Sequence, residues 1–219
     1  MVCAVLAALL LDDSALAQDT TCQELDIVFV IDRSGSIRDN NPPGCQLETD
    51  CDNWFLMRQF VNNLIDAITP LEDTRFGAVV FGADNPNDGS FVVFDLTNDR
   101  SSAKMQITSL DHQFHSTATY RGIRIMRQDV FTEANDRVDV PNVAIVITDG
   151  VPTMYEGGNG EIDTPRATTE ALAEAEAAID QGIIMLAIGV TNNIVNSTII
   201  GLASDGQNAN EPVGCCVSS

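Results

Sequence analysis

Leu25-Asp26-Ile27-Val28-Phe29-Val30-Ile31-Asp32-Arg33-Ser34-Gly35-Ser36 is an almost unbroken apolar run that ends in Asp-x-Ser-x-Ser. A short run this apolar reads as a strand buried on both faces. Its end delivers one carboxylate and two hydroxyls to a point where the chain turns at Gly35. An acidic oxygen beside neutral oxygens suits a small hard cation such as Mg²⁺. A second run, Asn142-Val143-Ala144-Ile145-Val146-Ile147-Thr148, ends the same way at Asp149-Gly150. Two parallel strands of one sheet would bring Asp32 and Asp149 to the same carboxyl edge, where open α/β sheets bind ligands.

The stretches between these strands alternate in period. Residues 53–69 carry Met57, Phe60, Val61, Leu64, Ile65 and Ile68 at helical spacing, and Pro70 marks the end. Residues 75–82 predict a strand, 84–89 a turn, and 91–96 its antiparallel hairpin partner. Short helices are expected over 98–110 and 122–133. Thr164-Pro165 starts a strong Ala/Glu-rich helix to Asp180, and 183–190 is a further apolar strand. The expected fold is α/β: a doubly wound, mostly parallel sheet with one antiparallel edge strand and helices on both faces. The 219 residues fit one domain, placed at 25–210 after a lead-in over 18–24 and before a cysteine-containing tail over 211–219.

Composition narrows the partners. Thirty-two acidic against 11 basic residues give a formal charge of −21. Such a balance excludes ordinary nucleic-acid recognition and disfavours anionic membranes, while it enriches divalent cations nearby. Residues 2–11 are apolar but too few to span a bilayer, and Ala15-Leu16-Ala17 follows them. The pattern reads as a signal peptide over 1–17, hence a secreted chain without membrane insertion. In that compartment cysteines pair. Cys45 and Cys51 are expected to close a short loop, and Cys22 to pair with Cys215 or Cys216. The cysteine left over could link a partner chain into a disulfide-bonded oligomer. Asn196-Ser197-Thr198 is an N-glycosylation sequon at Asn196. His112 and His115 could form half of a zinc site but read as surface polar residues, and Asp39 reads as a solvated loop residue.

The three-part pattern resembles the von Willebrand factor type A domain, also called the integrin inserted domain. The parts are Asp32-x-Ser34-x-Ser36, then Thr117 within Ser116-Thr117-Ala118-Thr119-Tyr120-Arg121-Gly122-Ile123, then Asp149 in Ile147-Thr148-Asp149-Gly150. The resemblance implies a metal-ion-dependent adhesion site. Ser34, Ser36 and Thr117 would be direct ligands; Asp32 and Asp149 would act mainly through waters. It implies Mg²⁺, with Mn²⁺ or Ca²⁺ possible. It also implies an extracellular protein ligand, collagen-like, matrix or receptor, whose Asp or Glu completes the metal shell. The family's final strand and affinity-switching helix have no clear counterpart after Ser204, where only 213–217 could supply a short edge strand. Two other functions compete: a structural matrix subunit cross-linked by disulfides, and a metal-dependent hydrolase. Against an enzyme, the sequence has no Ser-His-Asp or Cys-His set, no G-x-S-x-G and no P-loop.

Overall fold

The computed structural model describes residues 24–68, 74–83, 89–113, 116–191 and 194–204. Five strands form one sheet: β1 Asp26–Asp32, β2 Arg75–Phe81, β3 Phe91–Thr97, β4 Asn142–Thr148 and β5 Ile184–Gly189, in the order β3-β2-β1-β4-β5. β1 pairs in parallel with both β2 and β4, β4 pairs in parallel with β5, and only β3 runs antiparallel. The helices are α1 Gly35–Asp39, α2 Asn53–Ala67, α3 Arg100–Thr108, α4 Thr119–Ile125, α5 Thr164–Asp180 and α6 Asn196–Leu202.

The central strand is buried along its whole length and feeds two cores. Alternate side chains point to opposite faces of a strand. Ile27, Phe29 and Ile31 therefore meet Trp54, Val61 and Ile65 of α2 and Ile107 of α3 on one face. Val28 and Val30 meet Tyr120, Ile123 and Met126 beside α4, with Ala171, Ala175 and Ala178 of α5, on the other. The apolar-on-both-faces reading of β1 is thus borne out, and Trp54 is a core residue.

Element ends differ from the sequence expectation in instructive ways. The helix expected over 122–133 starts earlier, at Thr119, and passes after Ile125 into a π turn, Met126–Val130. Gly122 allows this early start. A Cβ on Gly122 would lie 2.6 Å from the Phe81 ring at the end of β2, so only glycine permits that approach. α6 was not foreseen; its few residues carry too little periodicity to signal a helix. Residues 1–23, 84–88, 205–219 and His115 lie outside the described residues, and with them the signal peptide, Cys22, Cys215, Cys216, most of the hairpin turn and the 213–217 strand.

Replacing Gly122 by Ala sets two effects against each other. Helix propensity favours alanine by about 1 kcal/mol. The clash with Phe81 costs about 1–3 kcal/mol in a packed core. A net loss of stability is expected, read as a lower midpoint in urea unfolding; an unchanged or higher midpoint would show that α4 shifts freely.

Candidate metal centre

Parallel pairing decides where the acidic groups fall. Ile31 lies opposite Ile147, so Asp32 and Thr148 end adjacent strands and Asp149 follows one residue later. Asp32 is fully buried and both of its oxygens are engaged. Its Oδ1 accepts from the Ser34 N–H at 2.8 Å, and its Oδ2 accepts from the Thr148 hydroxyl at 2.7 Å. The same Thr148 oxygen accepts from the Gly150 N–H at 3.0 Å, which fixes the turn that carries Asp149. Gly150 takes a φ of 84°, a left-handed conformation that glycine adopts without strain.

Asp149 stands in contrast. Both its carboxylate oxygens are buried and neither has a hydrogen-bond partner. A buried, unpaired carboxylate is costly, and such groups are rare in folded proteins. The serines explain what the pair awaits. Ser34 occupies the N-cap of α1, yet its side chain makes no capping bond. Its hydroxyl lies 3.1 Å from that of Ser36 instead. Two hydroxyls, one held carboxylate and one bare carboxylate are oxygen donors of the kind that hard divalent cations select. No group of three or more His, Cys, Asp or Glu side chains converges among the described residues, which disfavours a thiolate or imidazole zinc site there. The donor set fits Mg²⁺ or a similar ion.

Thr117, buried, belongs to a loop stitched to both of its neighbours. Its carbonyl accepts from Thr153 N–H at 2.9 Å and Met154 N–H at 3.1 Å, and its own N–H donates to the Thr153 hydroxyl at 2.8 Å. Ala118 N–H donates to the Gly82 carbonyl at 2.7 Å, while Arg33 N–H donates to the Phe81 carbonyl at 2.9 Å. The end of β2 therefore ties the first loop to the second, and Thr153 ties the second to the third.

The other sequence candidates sort cleanly. Cys45 and Cys51 form the expected disulfide, closing the loop between α1 and α2. Asp52 fixes that loop. It caps α2 through the Trp54 N–H, pairs with Arg38 at 2.7 Å, and accepts from Asn41 and from the Glu48 N–H. Burial would raise the Asp52 pKa, but Arg38 and the other donors outweigh it and hold the carboxyl at about 2. His112 is half-buried rather than a free surface residue: its Nε2 lies 2.9 Å from the Ser34 carbonyl and its ring packs edge-on against Trp54. That corrects the surface reading in part, and its physical reason is the contact with Trp54 and the Ser34 carbonyl, which draws the ring inward. Burial lowers its pKa. Asp39 is exposed, as expected for a solvated residue, but it ends α1 rather than lying in a loop. Asn196 is exposed at the start of α6, with Thr198 of the same triplet buried. Thr148 and Thr153 are supporting residues that sequence reasoning missed, and His112, named there only as a zinc candidate, supports the first loop instead. Only Thr148, next to Asp149, carried a positional hint.

Comparison with known proteins agrees with this geometry. The model of the von Willebrand factor type A domain matches residues 26–213. This chain belongs to that family. It is 34% identical over 173 residues to human collagen alpha-6(VI) chain, covering 76% of this chain and 6% of that protein. It is 27% identical over 179 residues to human matrilin-4, covering 77% of this chain and 24% of that protein. The chain thus spans only a small part of the curated relatives it matches. Among solved structures it resembles proximal thread matrix protein 1 of the mussel byssus with a zinc-occupied MIDAS motif. That likeness has a TM-score of 0.62 and 26% identity, and it covers 84% of this chain and 40% of that one.

The electrostatics give a measurable signature. Burial, then the neighbouring Asp149 charge, pushes the Asp32 carboxyl up to about 7, against the opposing bonds from Ser34 and Thr148. Burial also raises Asp149, partly offset by the nearby Ser36 hydroxyl and Val151 N–H, neither of which completes a hydrogen bond. A raised folded-state pKa contributes stability below the unfolded value that is lost as pH climbs through the folded value. In EDTA the melting temperature should therefore fall from about pH 5 to about pH 7.5. Asp149→Asn, which removes the repelling charge, should flatten that fall; parallel pH profiles for the two proteins would contradict the coupling.

Proposed function

We propose that this chain is a secreted adhesion module that binds a protein partner through a divalent cation held by Asp32, Ser34, Ser36, Thr117 and Asp149. The observation that carries the reading is the bare, buried Asp149 carboxylate beside Asp32 at the carboxyl edge of the sheet. A divalent cation, when bound, supplies the positive charge this pair lacks and an open position for an outside carboxylate. Ser34 and Ser36 offer neutral oxygens, so two aspartates alone set the charge and the ion is left electrophilic. Asp32, held by Ser34 and Thr148, keeps its position, while Asp149 keeps its lone pairs available.

Mg²⁺ is the favoured ion, with Mn²⁺ and Ca²⁺ as alternates. The favoured partner is an extracellular protein that presents Asp or Glu, such as a matrix protein or receptor. Two things support an extracellular setting: the Cys45–Cys51 disulfide, since such bonds persist in oxidising compartments, and the likeness to a collagen chain and a matrilin. The same likeness to matrix proteins favours binding over catalysis.

Thermal denaturation with Mg²⁺, Mn²⁺ and Ca²⁺ tests the reading. A ligand that binds only the folded chain stabilises it by about 2.7 kcal/mol at a hundredfold excess over Kd. Wild type should melt at rising temperature with rising metal. Asp149→Ala should lose that response while remaining folded. A wild-type curve indifferent to all three ions would remove the proposed site.

A further inference from the structure

The first loop of the metal centre contains Ser34-Gly35-Ser36, and its middle residue has no side chain to anchor it. Glycine gives the backbone more freedom than any other residue, so the Ser34–Gly35 peptide is the natural swivel of this loop. α1, which follows, is five residues long, and a helix that short holds itself poorly. The positions of the Ser34 and Ser36 hydroxyls, 3.1 Å apart, therefore depend on what grips the backbone from outside.

Two grips come from the segment that leaves α3. His112 Nε2 lies 2.9 Å from the Ser34 carbonyl, and the Gln113 N–H donates to the Arg33 carbonyl at 3.2 Å. A carbonyl oxygen only accepts, so His112 carries a hydrogen on Nε2 and donates it. The same carbonyl also accepts from the Ile37 N–H of its own turn, at a longer 3.3 Å. The segment is itself bolted to α2. Trp54 Nε1 donates to the Leu110 carbonyl at 3.2 Å, and Arg58 Nη1 donates to the Thr108 carbonyl at 2.5 Å. Trp54 is wholly buried and meets the His112 ring edge-on, with centroids 5.5 Å apart. A line of contacts thus runs from the core through Trp54 and His112 to the swivel peptide.

We infer that His112 is a positioning residue that fixes the spacing of the two serine hydroxyls and thereby favours Mg²⁺ over Ca²⁺ at the centre. The inference rests on the metal reading above and goes on to what tunes that site. Mg²⁺ demands near-octahedral oxygens at about 2.0–2.1 Å, whereas Ca²⁺ accepts about 2.3–2.6 Å in a flexible arrangement. The side-chain donors offered to the two ions are the same, so size and rigidity decide between them. A held frame suits the smaller ion; a loop free to swivel widens toward the larger. His112 acts through the Ser34 backbone, because its Nε2 is committed to the carbonyl and not to a hydroxyl.

The test is calorimetric titration of the full chain with Mg²⁺ and, separately, with Ca²⁺ at one fixed pH. Asp149→Ala supplies the background of weak binding to an acidic surface. His112→Phe keeps a ring against Trp54 but removes the donor, whereas His112→Gln returns an N–H at similar reach. In His112→Phe the Mg²⁺ affinity should fall about tenfold, as loss of an outer-shell partner does, while Ca²⁺ affinity changes by less than about threefold. His112→Gln should recover most of the Mg²⁺ preference. Equal loss for both ions, no loss in His112→Phe, or no recovery in His112→Gln would overturn the positioning role while leaving the metal reading intact. A wild-type chain that binds neither ion above the Asp149→Ala background would overturn both. Melting temperature in EDTA checks that each variant folds, and His112→Leu, a smaller side chain without a donor, replaces His112→Phe if the larger ring unfolds the loop.

Discussion

Two carboxylates forced side by side at the ends of adjacent parallel strands are the constraint around which this fold is organised. Asp32 and Asp149 are both buried; burial raises the pKa of each, and the Asp149 charge makes Asp32 harder still to ionise. The chain satisfies one of them completely and leaves the other bare. A fold that merely tolerated two acids would pair both. The asymmetry reads as stored demand for positive charge, and burial strengthens it because the interior screens poorly.

The contrast with other buried acids in the same molecule sharpens this. Asp26, at the opposite end of β1, is clasped by Arg75 and Arg137. Asp52 receives Arg38, Asn41 and two backbone N–H groups. Glu174 on α5 is shared by Arg124 and Arg127 beside α4. Burial alone would raise the pKa of Asp26 and Asp52, and their arginines overturn it. Asp149 has no cation within the described residues playing that part. Structural acids here come with arginines; the acid at the carboxyl edge does not.

Much of this was legible in the sequence because local and global signals agree. β1 and β4 are so apolar that only a two-sided core can hold them, and parallel register brings their Asp endings to one edge. The Cys45–Cys51 closure followed from spacing alone. What was hidden depends on distant contacts. His112 reads as a surface histidine because nothing near it in sequence shows that its ring packs on Trp54 and bonds the Ser34 carbonyl. The early start of α4 depends on Gly122 meeting Phe81, two elements away. Thr148 is an ordinary strand residue until the partner across the sheet is known to be Asp32. The strands and longer helices were readable from periodicity, whereas the short α1 and α6 and the supporting hydrogen bonds were set by tertiary packing.

The account depends on a single cation lodging between the first, middle and last of three stitched loops. Anomalous X-ray scattering from crystals grown with Mn²⁺ examines that directly. The account predicts one strong peak within coordination distance of the Ser34 and Ser36 hydroxyls, on the side facing Asp149. A peak elsewhere on this acidic surface, or none at the carboxyl edge at full Mn²⁺ loading, would contradict it.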